Sequence, residues 1–142
     1  MATLRTRIKS AQSIAKDRRI RVTDIEIDLG TNYTAKTLKE LKRAFPQVRF
    51  VWLMGADNLM QIPKWKNWQS IFKTMPIAVF TRPTYTNRAL AGIAAQSFSR
   101  YRVDENRAHR LSIMQAPAWS FLNIKPDPTS ATRVRAGIGA VK

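Results

Sequence analysis

Val48-Arg49-Phe50-Val51-Trp52-Leu53-Met54-Gly55-Ala56-Asp57-Asn58 is the stretch on which the fold turns. From Val48 to Met54 the chain is almost continuously apolar, with β-branched and aromatic residues in close succession. That pattern predicts a central strand covered on both faces, as in a parallel sheet. Gly55 ends the run and lets another backbone or a ligand come close. Toward the amino terminus, Thr34 to Phe45 predicts an amphipathic helix with Leu38, Leu41 and Ala44 on one face, stopped by Pro46. Ile20, Val22, Ile25, Ile27 and Leu29 alternate with polar residues, with one slip after Val22, and predict a strand over Ile20–Leu29. Leu4 to Ala15 has helical spacing. Toward the carboxyl terminus, Gln69 to Thr74 predicts a helix and Pro76 to Thr81 a second buried strand. Residues 87–98 read as a weak helix, Ala118 to Asn123 as a short strand, and Ser130 to Ile138 as a closing helix after the Pro126-Asp127-Pro128 turn. Strands alternating with helices imply one α/β domain over residues 1–142, with a mostly parallel sheet flanked by helices and right-handed crossovers. In such sheets ligands bind at the carboxyl ends of the strands.

The 142 residues suffice for one domain with a real core. Cysteine is absent, so disulfides, thiolate metal sites and cysteine nucleophiles are excluded. The single histidine, His109, lies in the polar stretch Asn106–Arg110 and reads as solvated. The longest apolar run, Phe50 to Ala56, falls far short of the ~20 residues a membrane span needs. The first residues carry no apolar signal core, so a cytoplasmic protein is the default expectation. Basic residues number 25 against 9 acidic ones, a net charge of +16. The excess is +7 over residues 1–50 and +9 over residues 51–142, so it belongs to the folded surface rather than to a tail. Such a surface attracts nucleic acid, nucleotides or other phosphorylated ligands, or serves solubility alone.

The residues able to carry chemistry cluster after the strands. Asp57 stands at a strand end, where it either accepts hydrogen bonds from ribose hydroxyls or amides or caps the next short helix, as Asn58 also could. Trp65, between Lys64 and Lys66, either offers a flat face to an aromatic ring or anchors the core. Trp68, followed by Ile71 and Phe72 at helical spacing, reads as a core anchor. Thr34 reads as a helix cap, and Thr37 with Glu40 has capping-box spacing. The amides exposed at that helix start could also receive a carboxylate or phosphate. Arg82 follows the second buried strand, placed either to hold a phosphate or as a plain surface residue. In Thr129-Ser130-Ala131-Thr132-Arg133-Val134-Arg135, hydroxyls and free amides meet at a helix start. Arg135 stands close enough in sequence to lean back toward it. The stretch is either an anion cradle or a capped basic helix.

In order along the chain, Asn32-Tyr33-Thr34-Ala35-Lys36-Thr37-Leu38, the stretch Phe50–Leu59 as a strand followed by Gly55-Ala56-Asp57-Asn58-Leu59, Trp65 and Trp68, Val79-Phe80-Thr81-Arg82-Pro83, and Ser130–Arg135 resemble bacterial nicotinate-nucleotide adenylyltransferase, of the nucleotidyltransferase α/β superfamily. The resemblance covers nearly the whole chain. It implies a Rossmann-like nucleotidyltransferase fold and the transfer of the adenylyl group of ATP to nicotinate mononucleotide. The products are nicotinic acid adenine dinucleotide, on the route to NAD, and pyrophosphate, with Mg²⁺ accompanying ATP. It also implies that Trp65 stacks on the pyridine ring, and that Thr34 and the backbone amides near Trp65 and Lys66 receive the nicotinate carboxylate. Asp57 would hold a ribose or nearby amides, and Arg82 would line the nucleotide site. Ser130, Thr132 and Arg135 would bind ATP phosphates, with Arg135 stabilising charge on them.

The family opens with a strand and G-x-F-x-P-x-H-x-G-H, whose histidines contact the ATP phosphates. No H-x-G-H stands in this sequence, and His109 does not fall at its position. The expectation is therefore an amino-terminally truncated domain, incomplete in its sheet, that binds mononucleotide better than it turns it over. Two other readings stay open: a non-enzymatic basic nucleic-acid-binding module, and a sister adenylyltransferase acting on another mononucleotide. The sequence leaves homo-oligomerisation open as well.

Overall fold

The computed structural model describes residues 3–30, 33–82 and 84–124. Its sheet has four strands: β1 (Trp52–Gly55), β2 (Ile77–Phe80), β3 (Arg102–Val103) and β4 (Trp119–Leu122). Their order is β1-β2-β4-β3, and every pairing is parallel. The α/β class expected from the alternating pattern is therefore the class found. Parallel neighbours need long crossovers. Between β1 and β2 the chain forms α4 (Ala56–Gln61), a 3-10 turn at Ile62–Lys64 and α5 (Trp68–Thr74). Between β2 and β3 it forms α6 (Thr86–Leu90) and α7 (Ile93–Ser97), and between β3 and β4 a 3-10 stretch, Glu105–Ile113. Ahead of the sheet lie α1 (Leu4–Ile14), α2 (Ile25–Leu29) and α3 (Thr34–Ala44).

The register sorts side chains onto two faces. Met54, Val79 and Phe121 share one row, and Trp52, Ile77 and Trp119 another. These rows pack with Leu38, Leu59, Ile71, Phe72, Ala94 and Phe98 in the main core. Within it Phe72 stacks on Phe98 at 4.3 Å and 8°, and Trp68 meets both rings edge-on. Trp68 thus anchors the core, as its spacing predicts. Trp119 buries its indole and donates Nε1–H to the Phe98 carbonyl at 2.7 Å. The opposite face is thinner: Ala78 and Ala118 pack under Leu111 of the 3-10 stretch.

Two strand expectations need correction. Residues 20–24 form no strand, and Ile25–Leu29 is a short helix. Five alternating residues fit a single helical turn as well as a strand, and no described strand lies alongside to supply the ladder that would decide it. The strand expected over Val48–Met54 begins only at Trp52 and runs to Gly55, and it is not covered on both faces. Leu53 is 58% exposed because β1 sits at the edge of the described sheet, where the 3-10 stretch does not cover its outer face. The helix Thr34–Ala44 also turns slightly from its expected face: Ala35, Thr37 and Leu38 are buried, while Ala44 is exposed. The turn at 126–128 and the closing helix at 130–138 lie outside the described residues.

Candidate active site at the carboxyl edge of the sheet

β1 ends at Gly55, and its carboxyl end leads straight into α4. Gly55, not Asp57 or Asn58, is the residue before that helix, and no side chain caps it. Asp57 instead lies in the first turn, where its carboxylate complements the helix dipole. Its Oδ1 faces Arg82 Nε at 3.6 Å, so the ends of β1 and β2 are joined by an ion pair. That distance is too long for a hydrogen bond. Oδ1 is in fact a buried acceptor with no hydrogen-bond partner among the described residues. Its attraction to the guanidinium is electrostatic, and its acceptor capacity is unspent.

Gly55 makes this approach feasible. A Cβ there would stand 2.6 Å from Asp57 Oδ1 and 2.8 Å from Arg82 Nε. Gly55 has an ordinary extended backbone, φ −86°, so the need for glycine is space rather than conformation. Beside it, Thr81 N–H donates to the Leu122 carbonyl at 3.0 Å, tying the end of β2 to β4. The Glu105 carboxylate accepts Asn123 N–H at 2.8 Å and Asn123 Nδ2 at 3.3 Å, fixing the chain as it leaves β4.

A second group assembles from the α3 start and the loop after α4. Tyr33, Thr34, Lys64, Trp65 and Lys66 line a cavity of about 320 Å³. Thr34 is the first helical residue of α3; Tyr33 occupies the cap position without a side-chain bond, so the expected Thr34 cap is not formed. Nor is the Thr37–Glu40 capping box: Thr37 Oγ1 donates to the Tyr33 carbonyl at 3.0 Å, and Glu40 pairs with Arg43 at 3.5 Å. The Trp65 indole is half-buried, packed on the main core while lining the cavity, so anchoring the core does not withdraw it from the cavity. Its backbone N–H is engaged by the Ile62 carbonyl at 2.9 Å. Asn67 takes the left-handed conformation, φ 54°, which asparagine tolerates better than most residues. That turn separates Lys66 from α5 and lets the ammonium lie over the Tyr33 ring, 4.8 Å from its centroid.

The fold thus joins Thr34, Trp65 and Lys66 in one cavity and Asp57 with Arg82 in one pair; the last two do not line that cavity. Ser130, Thr132 and Arg135 lie outside the described residues. Sequence reading missed Tyr33 as a cavity wall, although it precedes Thr34 directly, and missed Glu105, whose partner is 18 residues away. Among the described residues no three His, Cys, Asp or Glu side chains gather to hold a metal ion. Among them also no helix is long and apolar enough to cross a membrane. Outside this region, the Asp17 carboxyl is held below its ordinary value by the hydrogen-bonding Arg19 guanidinium.

The parallel α/β sheet flanked by helices is the fold of the cytidylyltransferase-like nucleotidyltransferases. The chain belongs to the cytidylyltransferase-like family, whose model matches residues 1–137, and within it to the nicotinate-nucleotide adenylyltransferases. It is 44% identical over 134 residues to a "probable nicotinate-nucleotide adenylyltransferase" of Ruegeria sp. (strain TM1040), covering 94% of this chain and 71% of that protein. Proteins of the same name from Ruegeria pomeroyi and Parvibaculum lavamentivorans are 44% and 47% identical over 97% and 95% of this chain. The chain spans 65% and 67% of their respective lengths.

Proposed function

We propose that this chain binds nicotinate mononucleotide at the Thr34–Trp65–Lys66 cavity and belongs to an enzyme that adenylylates it with ATP. The observation that carries the reading is the meeting of Thr34 with the sequence-distant Trp65-Lys66 pair around one cavity of about 320 Å³. The half-buried indole supplies a rigid face for the pyridine ring, worth about 1–3 kcal/mol in comparable base stacking. The Thr34 hydroxyl and the Lys66 amide and ammonium receive the carboxylate; the Trp65 amide is already engaged and takes no part. The Asp57 carboxylate accepts a ribose hydroxyl or a backbone amide. Arg82, 58% exposed beside it, meets the nucleotide. Ser130, Thr132 and Arg135 serve the ATP phosphates.

In the reaction an oxygen of the mononucleotide phosphate attacks the α-phosphorus of ATP in line. The bond to the β-phosphate oxygen breaks, and pyrophosphate leaves with the electron pair. Positioning and charge neutralisation supply most of such catalysis. Mg²⁺ would accompany the triphosphate and neutralise part of its charge. The relatives' names favour adenylyl transfer over a nucleic-acid-binding module and over a sister enzyme for another mononucleotide.

Calorimetric titration with nicotinate mononucleotide, nicotinamide mononucleotide and a short oligonucleotide separates these readings. Tightest binding of nicotinate mononucleotide is expected, and salt-sensitive binding of the oligonucleotide alone would overturn it.

A further inference from the structure

A second cavity, of about 390 Å³, opens at the opposite end of the sheet. Its walls come from the segments that lead into three strands: Val48–Phe50 before β1, Thr74–Pro76 before β2, and Met114–Ala116 before β4. About 13 Å of four-residue strand separates it from the Gly55–Arg82 edge. Three cations, Lys42, Arg49 and Lys73, line it, and no carboxylate does. None of the three has an ion-pair partner among the described residues. The sequence explains why: Leu41–Ala56, Asn58–Val103 and Asn106–Lys125 hold no Asp or Glu at all, and these segments build the whole cavity. Lys42 is held in place, its Nζ donating to the Thr74 carbonyl at 2.9 Å, with two donors still unspent. Three like charges around one space repel one another unless an anion lies between them. Beside them Phe50, Met75, Pro76 and Met114 form an apolar wall. The Phe50 ring is steadied edge-on by Phe45 at 6.4 Å.

We propose that this cavity is a second anion site, taking a phosphate-bearing ligand that also carries an aromatic ring. Arg49 offers the phosphate a planar fork, and Lys42 and Lys73 offer point charges. The ring lies against Phe50 and Met114. The volume falls within the usual range for a small-molecule pocket. The proposal stands apart from the carboxyl-edge reading, since no residue is shared between the two.

The test follows backbone amide resonances of the whole chain during titration with adenosine monophosphate, inorganic phosphate and adenosine. Adenosine monophosphate is expected to shift Arg49, Phe50, Met75 and Met114, saturating at lower concentration than either fragment. Arg49→Ala with Lys73→Ala is expected to weaken those shifts at least tenfold, while Trp65→Ala leaves them unchanged. Both cationic side chains are exposed, and a melting curve checks that the double variant folds. Should it not, Arg49→Gln and Lys73→Gln singly give the same readout, each expected to weaken the shifts. Shifts confined to Thr34 and Trp65, equal affinity in the variants, or phosphate binding as tightly as adenosine monophosphate would each overturn the proposal.

Discussion

At Gly55 the decisive quantity is a distance. Adding one methyl group places carbon 2.6 Å from Asp57 Oδ1, inside van der Waals contact, and the atom must move. The backbone itself tolerates alanine, so the fold is little affected. Gly55→Ala is expected to leave chemical-denaturation stability within about 1 kcal/mol of the parent. Nucleotide affinity by calorimetry is expected to fall roughly tenfold, about 1.4 kcal/mol. Parental affinity in that variant would remove Asp57 and Arg82 from the site. Trp65 is bound to core and cavity together, so its substitutions separate the roles. Trp65→Ala should weaken nicotinate mononucleotide by about 1–3 kcal/mol, and Trp65→Phe by less, because a smaller aromatic face remains. Fluorescence titration of both variants checks the order. These residues were legible as candidates because a glycine and a carboxylate directly after an apolar run stand at a strand end, where ligands of such sheets bind, although helix capping would use them as well. Their pairings were not: Arg82 lies 25 residues beyond Asp57, and nothing local announces that they meet.

Among the elements, α5 and β1 each hold a large apolar residue, one buried and one exposed. Phe72 in α5 is fully buried and stacked on Phe98. Phe72→Ala removes a large ring from a packed interior and leaves a cavity, costing about 3–5 kcal/mol. A sharp fall in the urea midpoint measures it. Leu53 in β1 comes from an equally apolar run but lies on the uncovered face. Leu53→Thr should change stability by no more than about 0.5 kcal/mol, read from the same urea curves. A loss like that of Phe72→Ala would mean that a neighbour covers β1 in solution. Sequence periodicity marked both elements and placed Ile77–Phe80 and Trp119–Leu122 almost to the residue. It missed β3, whose two residues carry no period to read, and it took Ile25–Leu29 for a strand. A hydrophobic repeat reports which side chains seek burial, but strand identity also needs a partner at hydrogen-bonding distance.

For the molecule as a whole, charge dominates. A net charge of +16 concentrates anions around the entire surface, with little carboxylate to screen it from within. Affinity for nicotinate mononucleotide is expected to fall as ionic strength rises, since the Debye length shrinks from about 10 Å at 0.1 M to about 3 Å at 1 M. Calorimetry across that range checks it, and a flat response would assign the affinity to stacking alone. The sequence by itself determined the α/β alternation, the basic balance, the absence of thiol chemistry and the chemical types gathered after each strand. These follow from composition and from short-range periodicity, which a linear chain displays in full. Only the tertiary structure decided that β1 is an edge of the described sheet, that Thr34 shares a cavity with Trp65, that Asp57 faces Arg82, and that three acid-free segments converge at the far end. Each of these depends on segments separated by tens of residues coming within a few ångströms. That proximity is set by the packing of the whole core, and no local stretch encodes it.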